Sequence, residues 1–289
     1  MISLGIDIGG SFVKAALVDG RATLAESQSG RYRHPSSSEV ATAIRAAASA
    51  TGALARPFDV VGLCAPGLLD ADGTTVRASI NVPSLVGVRL DELLAAALGT
   101  DKCRPTISSD AHAAAYDVWS RSRRLGRFAG ISIGTGVGAC VLDNGEPLRV
   151  SGNSSGHIGQ IDVSIEDAGE DVPVGPDSGR GSLEAYIGLP ALERRYGDAV
   201  EQALLNLKAG DPPLRALARA LRIVHAIYRP DTIALMGGVG IRLSAALPVL
   251  HGAVADSLTS LARPGWTLTT GDSHFHAAVG AAKLAADFG

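Results

Sequence analysis

Two segments of this sequence, about half a chain apart, share a pattern of apolar strand, glycine turn and second apolar strand. The segments cover residues 4–19 and 129–143, and their turns are Gly9-Gly10-Ser11 and Gly134-Thr135-Gly136. A run of β-branched residues that is broken by glycine predicts a β-hairpin. Glycine lets backbone N–H groups approach a ligand closely, and such groups together with a hydroxyl bind anions. The repeat therefore predicts two lobes that hold one polyphosphate from both sides.

The composition excludes several classes of protein. The chain has 289 residues, of which 46% are hydrophobic and 19% charged, so we expect a folded globular chain of two domains. A net charge of −3 and an aromatic content of 4% argue against a nucleic-acid partner. No apolar run approaches the length of a membrane span, and the N-terminus enters a strand without a signal segment. We therefore expect a cytoplasmic protein with no membrane partner.

The cysteines do not predict a metal site. Cys64, Cys103 and Cys140 are widely spaced, and the sequence has no Cys-x-x-Cys pair. A zinc site built from thiolates is therefore not expected. Cys64 and Cys140 lie in apolar, strand-like runs, which is typical of buried, reduced thiols that act as small hydrophobic residues.

The order of the predicted elements indicates a duplicated α/β architecture. We expect strands over residues 3–8, 12–18, 22–29, 59–64, 106–109, 129–133, 137–142 and 232–236. We expect helices over residues 39–54, 91–98, 111–122, 183–191, 199–209, 212–228 and 277–286, with helical patches over 241–262 and an irregular excursion over 151–181. Three strands followed by helix, strand and helix occur twice, which favours two similar lobes. The boundary is expected in the helix after Asp110, and a ligand is expected in the cleft between the lobes.

Short motifs along the chain carry a family resemblance. They are Asp7-Ile8-Gly9-Gly10-Ser11, Ala65-Pro66-Gly67, Asn81, Ser109-Asp110-Ala111, Gly134-Thr135-Gly136-Val137-Gly138, Gly156-His157-Ile158-Gly159-Gln160, Gly179-Arg180-Gly181-Ser182-Leu183-Glu184, Gly237-Gly238 and Val279-Gly280-Ala281-Ala282. In content and order they resemble the ROK family of sugar kinases and repressors, within the actin/hexokinase-like ATPase superfamily. One glycine turn would be weak support, but so many motifs in order are strong support.

The resemblance implies an α/β, duplicated actin/hexokinase-like (ribonuclease H-like) two-lobe fold with an interlobe cleft. The N-terminal lobe would cover residues 1–111 and be completed by the C-terminal helix 275–289. The C-terminal lobe would cover residues 112–274. It further implies a homodimer that binds ATP and Mg²⁺ and acts on a small sugar or sugar-like substrate.

The sequence departs from the family pattern where the family binds sugar and zinc. The family's Glu is His157 here, and its zinc-bound His is Gln160. Its cysteine ligands are absent, with Ser178 or Gly179 and Ser182 near their places. The phosphate-binding motifs therefore resemble the family while the sugar-binding residues differ, and we expect no bound zinc.

Two aspartates are the candidates for chemistry. Asp110 follows a predicted strand, and a carboxylate there can accept the proton of a sugar hydroxyl during phosphoryl transfer. Its ordinary alternative is a helix N-cap. Asp7 ends the first strand and can hold Mg²⁺ through water, the alternative being an aspartate that satisfies its own turn. The resemblance favours the catalytic role for Asp110.

The remaining candidates have equally ordinary alternatives. The hydroxyls of Ser11 and Thr135 can donate to phosphates or fill a turn hydrogen bond. Glu184 can accept from sugar hydroxyls or place a favourable charge at a helix N-terminus. The family's Asn before the catalytic aspartate is Ser109. Its frequent Lys after the first turn is Phe12, although Lys14 fits a common basic position.

The predicted function is an ATP- and Mg²⁺-dependent kinase that phosphorylates a hydroxyl of a sugar or sugar-like substrate. Nucleotide-binding residues are Asp7, Gly9, Gly10, Ser11, Lys14, Gly134, Thr135, Gly136, Gly237 and Gly238. Acceptor-binding residues are Asn81, Ser109, His157, Gln160 and Glu184. His112, His274 and His276 are expected to be surface or packing residues.

Two alternatives remain open at this point. Polyphosphate is an alternative donor, since relatives without the zinc cysteines use it. A degenerate sugar or nucleotide sensor is an alternative function, because His157 and Gln160 replace the usual pair. A DNA-binding repressor is not expected, since the first strand begins by Ile2 or Ser3 and leaves no room for a helix-turn-helix.

Overall fold

The computed structural model describes residues 1–100, 104–122, 126–150, 155–164, 171–175 and 178–289. The strands are β1 (Ile2–Ile8), β2 (Val13–Asp19), β3 (Ala22–Gln28), β4 (Val60–Ala65), β5 (Leu68–Leu69), β6 (Val76–Ala78), β7 (Thr106–Ser109), β8 (Arg127–Ile133), β9 (Val137–Asp143), β10 (Glu146–Pro147), β11 (Thr232–Met236) and β12 (Thr267–Thr270). The α-helices are α1 (Ser37–Ala50), α2 (Leu90–Leu98), α3 (Asp110–Ser122), α4 (Leu183–Ile187), α5 (Leu189–Tyr196), α6 (Val200–Leu205), α7 (Pro212–Tyr228), α8 (Gly237–Gly240), α9 (Leu247–Ser257) and α10 (His276–Phe288).

The described residues form two compact units. The first consists of residues 1–122, 149–150 and 275–289, and the second of residues 126–148 and 155–274. The boundary expected at residues 111 and 112 falls inside α3, which packs against α10 and lies wholly in the first unit. The C-terminal helix joins the first unit, the position that the resemblance implied for it.

The first sheet has the strand order β3-β2-β1-β4-β7. Neighbours β3, β2 and β1 are antiparallel, as predicted for a meander, whereas β1, β4 and β7 are parallel. Alternate side chains of β1 point to opposite faces. Leu4, Ile6 and Ile8 lie in a core with residues of α1 and α2.

Glycines on the other face of this sheet bring α10 into backbone contact. Gly5 and Gly62 are paired neighbours on β1 and β4. A Cβ on Gly5 would overlap the carbonyl oxygen of Ala278, and one on Gly62 would overlap that of Ala281. Only residues without a side chain fit at these two positions, so the glycines fix how closely α10 lies on the strands.

The second sheet repeats the strand order of the first, as β10-β9-β8-β11-β12. Neighbours β10, β9 and β8 are antiparallel, and β8, β11 and β12 are parallel. Its core combines buried residues of the sheet with those of α4, α7 and α9. The predicted duplicated α/β architecture is therefore seen in the strand order of each unit taken by itself.

Several predicted bounds and caps were wrong. The helix predicted over 91–98 begins at Leu90 with Arg89 as its N-cap residue, so Asp91 lies in the first turn and does not cap it. Gly99 ends that helix with a φ of +69°, as glycine does at helix C-termini. The first helix begins after Ser36, which forms a capping box with Glu39. The short strands β5, β6, β10 and β12 were not predicted.

Cys64 and Cys140 are buried free thiols, as predicted. Cys103 lies outside the described residues, as does part of the excursion over residues 151–181.

One helical segment, Gly237–Ser257, satisfies the length and hydropathy of a membrane span within the described residues. No run of this length was expected from the sequence. Core helices of soluble proteins meet the same criterion, and this segment contains α8, a 3₁₀ stretch and α9. Leu243, Leu250 and Val254 of the segment are fully buried in the second core, and 33% of the apolar window is buried.

Candidate active site

A row of polar residues crosses the first sheet near the carboxyl ends of its parallel strands. Asp7 on β1 pairs with Lys14 on β2 and with Cys64 on β4, and Cys64 pairs with Ser108 on β7. Directly paired residues point to the same face of a sheet. The row lies on the α10 face, because the Cys64 thiol also contacts the carbonyl oxygen of Ala277 at 3.7 Å.

Asp7 is held in this row as a buried carboxyl group. Its Oδ1 accepts a hydrogen bond from the Cys64 thiol at 3.5 Å. Burial raises the pKa of Asp7, while the positive charge of Lys14 and the Cys64 hydrogen bond act in the opposite direction. A carboxylate is costly to bury, so its retention beside a lysine favours a role for the charge.

Asp110 follows β7 directly and is the first residue of α3. The Ser109 hydroxyl accepts the backbone N–H of His112 at 3.2 Å, the bond expected of an N-cap side chain, so capping does not depend on Asp110. Asp110 Oδ1 instead accepts the adjacent N–H of Ala111 at 2.8 Å. Burial and the charge of Asp7 raise the pKa of Asp110 to about 6. A carboxylate with this pKa is suited to accept a proton near neutral pH.

The first glycine turn is closed by one hydrogen bond and secured by a residue that the sequence analysis did not identify. The Gly9 N–H donates to the carbonyl of Phe12 at 2.9 Å. Tyr32 donates its backbone N–H to Ser11 at 2.9 Å and its hydroxyl to the carbonyl of Gly9 at 2.6 Å. No local pattern links Tyr32 to Gly9, which lies 23 residues earlier, so only the folded chain reveals the contact.

Asn81 lies beside this turn. A Cβ on Gly10 would lie 3.4 Å from the Cβ of Asn81, and the Asn81 side chain is exposed. The structure thus brings a predicted acceptor residue next to a predicted phosphate turn.

The second glycine turn is built on the same plan with different supports. Its Gly134 N–H donates to the carbonyl of Gly136 at 2.9 Å, and the Leu189 N–H donates to the carbonyl of Gly134 at 2.8 Å. Thr135 is exposed at the tip. No described heavy atom lies within 4 Å of a Cβ placed on Gly134, so open space adjoins the turn.

Glu184 also supports the second turn. Its Oε2 accepts the backbone N–H of Val137 at 2.8 Å. A Cβ on Gly159 would overlap the Val137 carbonyl and lie 3.3 Å from Glu184 Oε2, so this glycine packs tightly against both. His157 and Gln160 flank Gly159 and are exposed. Glu184, His157 and Gln160 are therefore gathered near one end of β9, although the spacing alone predicted no link between Glu184 and the turn.

Gly237 and Gly238 follow β11 in the second unit. Gly237 has a φ of +77°, and a Cβ there would lie 2.5 Å from the carbonyl oxygen of Ile133, so both conformation and space require glycine. A Cβ on Gly238 would meet no described heavy atom within 4 Å.

The residues present fit the two groups that the family resemblance implies. Asp7 offers oxygen ligands of the kind that Mg²⁺ takes from proteins, where it usually keeps several waters. Both turns offer backbone groups and a hydroxyl, of Ser11 and Thr135, and open space adjoins Gly134 of the second turn; these features suit phosphates. In the described part of the chain, no group of three or more His, Cys, Asp or Glu side chains is arranged to hold a metal ion.

The chain matches one protein family over nearly its whole length. The model of the ROK family matches residues 3–287. The chain is 29% identical over 268 residues to a kanosamine kinase of Amycolatopsis mediterranei, covering 88% of this chain and 86% of that protein. It is 27% identical over 261 residues to an N-acetylmannosamine kinase of Vibrio cholerae, covering 83% and 85%.

Among solved structures, the fold resembles that of a ROK family glucokinase from Streptomyces griseus in complex with glucose and AMPPNP. The TM-score is 0.77 and the sequence identity 22%, and the match covers 99% of this chain and 100% of that one. At this identity the likeness concerns the fold.

Proposed function

This chain belongs to the ROK family, and from that premise we propose that it is a sugar kinase, which transfers a phosphoryl group from ATP, with Mg²⁺, to a hydroxyl of a sugar. The single observation that carries the proposal is the position of Asp110 directly after a parallel strand. Burial and the charge of Asp7 raise the pKa of its carboxyl group to about 6. The curated relatives named above are phosphotransferases with an alcohol acceptor.

Asp110 acts as the general base in this proposal. Phosphoryl transfer depends mainly on positioning and charge stabilisation, and a carboxylate helps by accepting the hydroxyl proton as the bond to phosphorus forms. Because Ser109 caps α3, the Asp110 carboxylate is left to face the acceptor. Asp7 would hold Mg²⁺ through water, and the ion would neutralise charge on the phosphates.

The glycine turns bind the donor. Backbone groups and the hydroxyls of Ser11 and Thr135 hydrogen-bond the phosphates, and Gly237 and Gly238 adjoin the adenosine. Lys14 adds a positive charge beside Asp7 in the first unit. Tyr32 and Leu189 hold the two turns in shape, which spares the ligand the cost of ordering them.

The acceptor is proposed to be an amino sugar. Asn81, Ser109, His157, Gln160 and Glu184 are its proposed contacts, and His157 and Gln160 can each both donate and accept hydrogen bonds. The acceptors in the names of both curated relatives are amino sugars. Sites built around particular polar groups discriminate strongly against analogues that leave those groups unpaired, by up to about 10⁴-fold.

A coupled assay of nucleotide turnover across a sugar panel tests the proposal. The panel contains glucose, mannose, fructose, polyols, free amino sugars and N-acetylated amino sugars, each with ATP or polyphosphate as donor. We expect the highest kcat/KM with ATP and an amino sugar, and a poor value for glucose. A glucose value well above all others would contradict the acceptor assignment. Nucleotide binding without turnover on any sugar would favour the sensor.

The assembly and metal content are proposals that follow from the family. We propose a cytoplasmic homodimer without stoichiometric zinc. Light scattering coupled to size-exclusion chromatography measures the mass of the assembly. Elemental analysis of untagged protein measures the zinc, and one zinc per chain would show that the excursion near His157 binds metal.

A further inference from the structure

A buried charged cluster joins α3 to α10 in the first unit. Asp117 of α3 is fully buried. Its Oδ1 accepts from the Lys283 ammonium at 2.6 Å, its Oδ2 lies 2.6 Å from His276 Nδ1, and Arg121 contacts the carboxylate at 2.9 and 3.1 Å. His276 and Lys283 are themselves 3% and 5% exposed. The expectation that His276 is a packing residue is thus met in a specific form, as a partner of Asp117.

Asp117 stays ionised in this cluster. Although burial raises its pKa, the hydrogen bonds from His276, Lys283 and Arg121 outweigh that effect and hold the pKa at about 2. A second polar link between the same helices, from the Tyr116 hydroxyl to Asp287 at 2.6 Å, lies near the end of α10.

The two helices that the cluster joins are packed backbone to backbone. A Cβ on Gly280 of α10 would overlap the carbonyl oxygen of Ala113 on α3. Ala113 is one helical turn after Asp110, so the backbone of α10 bears on the turn that carries the proposed base. A shift of α3 along α10 would therefore move Asp110.

The same helix α10 also bears on the strand that carries Asp7. It is seated on Gly5 and Gly62, and its Ala277 carbonyl contacts the Cys64 thiol that donates to Asp7. Thus α10 contacts both elements that carry the two carboxylates, and the Asp117 cluster is the buried charged connection between α3 and α10.

Stability alone is a weak reason for such a cluster. Taking charges out of water is costly, and buried ion pairs are often replaced by apolar residues without loss of stability. Hydrogen bonds between charged groups are directional, and in some proteins buried charges specify one arrangement of the elements that they join. The arrangement fixed here is that of α3 on α10.

We propose that Asp117 is a positioning residue, which locks α3 to α10 through Lys283, His276 and Arg121 so that Asp110 remains beside Asp7. The proposal rests on the function proposed above. It assigns no contact with substrate to Asp117.

The test compares Asp117→Asn with Tyr116→Phe. The second variant removes the Tyr116–Asp287 hydrogen bond between the same helices and leaves the Asp117 cluster and the Lys283–Ser120 hydrogen bond intact, so it is the matched control. All measurements are made at a temperature where circular dichroism shows each variant to be folded. The first readout is the titration of the Asp110 carboxyl carbon by NMR in protein labelled with ¹³C-aspartate, without substrate. The second is kcat on the preferred sugar, measured together with the KM for the nucleotide.

In Asp117→Asn, we expect the Asp110 midpoint to fall by about one unit, because a displaced carboxylate is less buried and farther from Asp7. We expect kcat to fall about tenfold with the nucleotide KM unchanged, since small misplacements cost rate more than binding. Tyr116→Phe should change neither value. A reduced melting temperature with a wild-type midpoint and kcat would overturn the proposal.

The two proposals fail in different ways. If no sugar is phosphorylated by the wild type, the proposed function is wrong, and the NMR midpoint still decides whether Asp117 positions Asp110. If Asp117→Asn does not fold, Arg121→Gln removes the half-exposed arm of the cluster. A smaller shift of the midpoint in the same direction supports the proposal, and an unchanged midpoint overturns it.

Discussion

The two sheets have the same strand order, but equivalent positions carry different chemistry. In the first sheet, Asp7 pairs with Lys14 and Cys64. In the second sheet, the corresponding residue Ser132 pairs with Gly138 and Met236. One unit thus buries ionisable groups at the row where the other has none.

Under the proposed function, this difference is a division of labour in which the first unit supplies the buried carboxyl groups, while both units supply a phosphate-binding turn. Burying carboxyl groups costs free energy, so a fold that needed only stability would not keep them. The first unit keeps Asp7 and Asp110, which are suited to act on a hydroxyl and a metal ion. The second unit offers the turn Gly134-Thr135-Gly136, whose backbone groups and Thr135 hydroxyl suit phosphates, as the turn Gly9-Gly10-Ser11 does in the first unit.

Removing the base should produce the largest effect. We expect Asp110→Asn to lower kcat by about 10²–10⁴-fold, because an amide cannot accept the proton. A coupled assay on the preferred sugar measures it. Asp256→Asn, an exposed position on α9, is the control and should keep wild-type turnover. Wild-type turnover in Asp110→Asn would show that another group is the base.

Two aspartates of α3 should affect stability in opposite directions. Asp117→Asn leaves Lys283 without its carboxylate and should cost about 3–5 kcal/mol at pH 7. Asp110→Asn should be neutral or stabilising. Burial and the charge of Asp7 raise the pKa of Asp110 from 3.8 to about 6. Protonated Asp110 therefore stabilises the folded state, a contribution that is fully present below pH 3.8 and lost as the pH rises through 6.

The contribution of Asp117 to stability depends on pH in the opposite direction. Its pKa is lowered to about 2, so its contribution is present above pH 3.8 and lost as the pH falls through 2. Urea unfolding at pH 7 measures the free energy of unfolding of Asp110→Asn and Asp117→Asn. Equal losses in the two variants would mean that Asp110 is a structural residue like Asp117.

Substitutions at equivalent positions of the two sheets should cost different amounts of stability. We expect Gly62→Ala to cost about 1–3 kcal/mol, because its Cβ would overlap the Ala281 carbonyl of α10. The corresponding residue of the second sheet is Ala234, which is fully buried with its methyl group. Ala234→Gly is the matched control and should cost only about 0.5–1 kcal/mol. Denaturant unfolding measures the loss of stability in each variant. A smaller loss in Gly62→Ala than in Ala234→Gly would contradict the close packing of α10 on the sheet.

Turnover should depend on pH through the first unit. Because the base must be ionised and the pKa of Asp110 is about 6, we expect kcat/KM to fall about tenfold for each unit of pH below that value. Measurements from pH 5 to 8, with stability checked at each value, give the profile. A flat profile over this range would remove Asp110 from the titrating groups.

Local pattern was sufficient for the longer strands and the glycine turns of both units. Apolar runs and glycines predicted β1, β2, β8, β9 and β11, and the motifs identified the family, which the family model confirms. The sequence did not reveal contacts between residues far apart in the chain. Asp117 meets His276 and Lys283 only after α10 returns to the first sheet, and Tyr32 reaches Gly9 only once the meander is folded.

Short elements and caps were missed for a different reason. The four residues of β12 carry too little periodicity to be distinguished from a loop. Asp91 has the chemistry of a cap, but its carboxylate pairs with Arg89 instead. At such positions tertiary contacts decide between conformations that differ little in local preference.

The most direct test of this division of labour is the dependence of rate on nucleotide concentration in Asp110→Asn and Thr135→Ala. Losing one hydrogen bond to phosphate should raise the nucleotide KM of Thr135→Ala by about three- to tenfold, and saturating nucleotide should restore its rate. Asp110→Asn should bind nucleotide with nearly wild-type affinity and remain slow at saturation. A restored rate in Asp110→Asn, or an unrestored rate in Thr135→Ala, would contradict the separation of hydroxyl activation from phosphate binding.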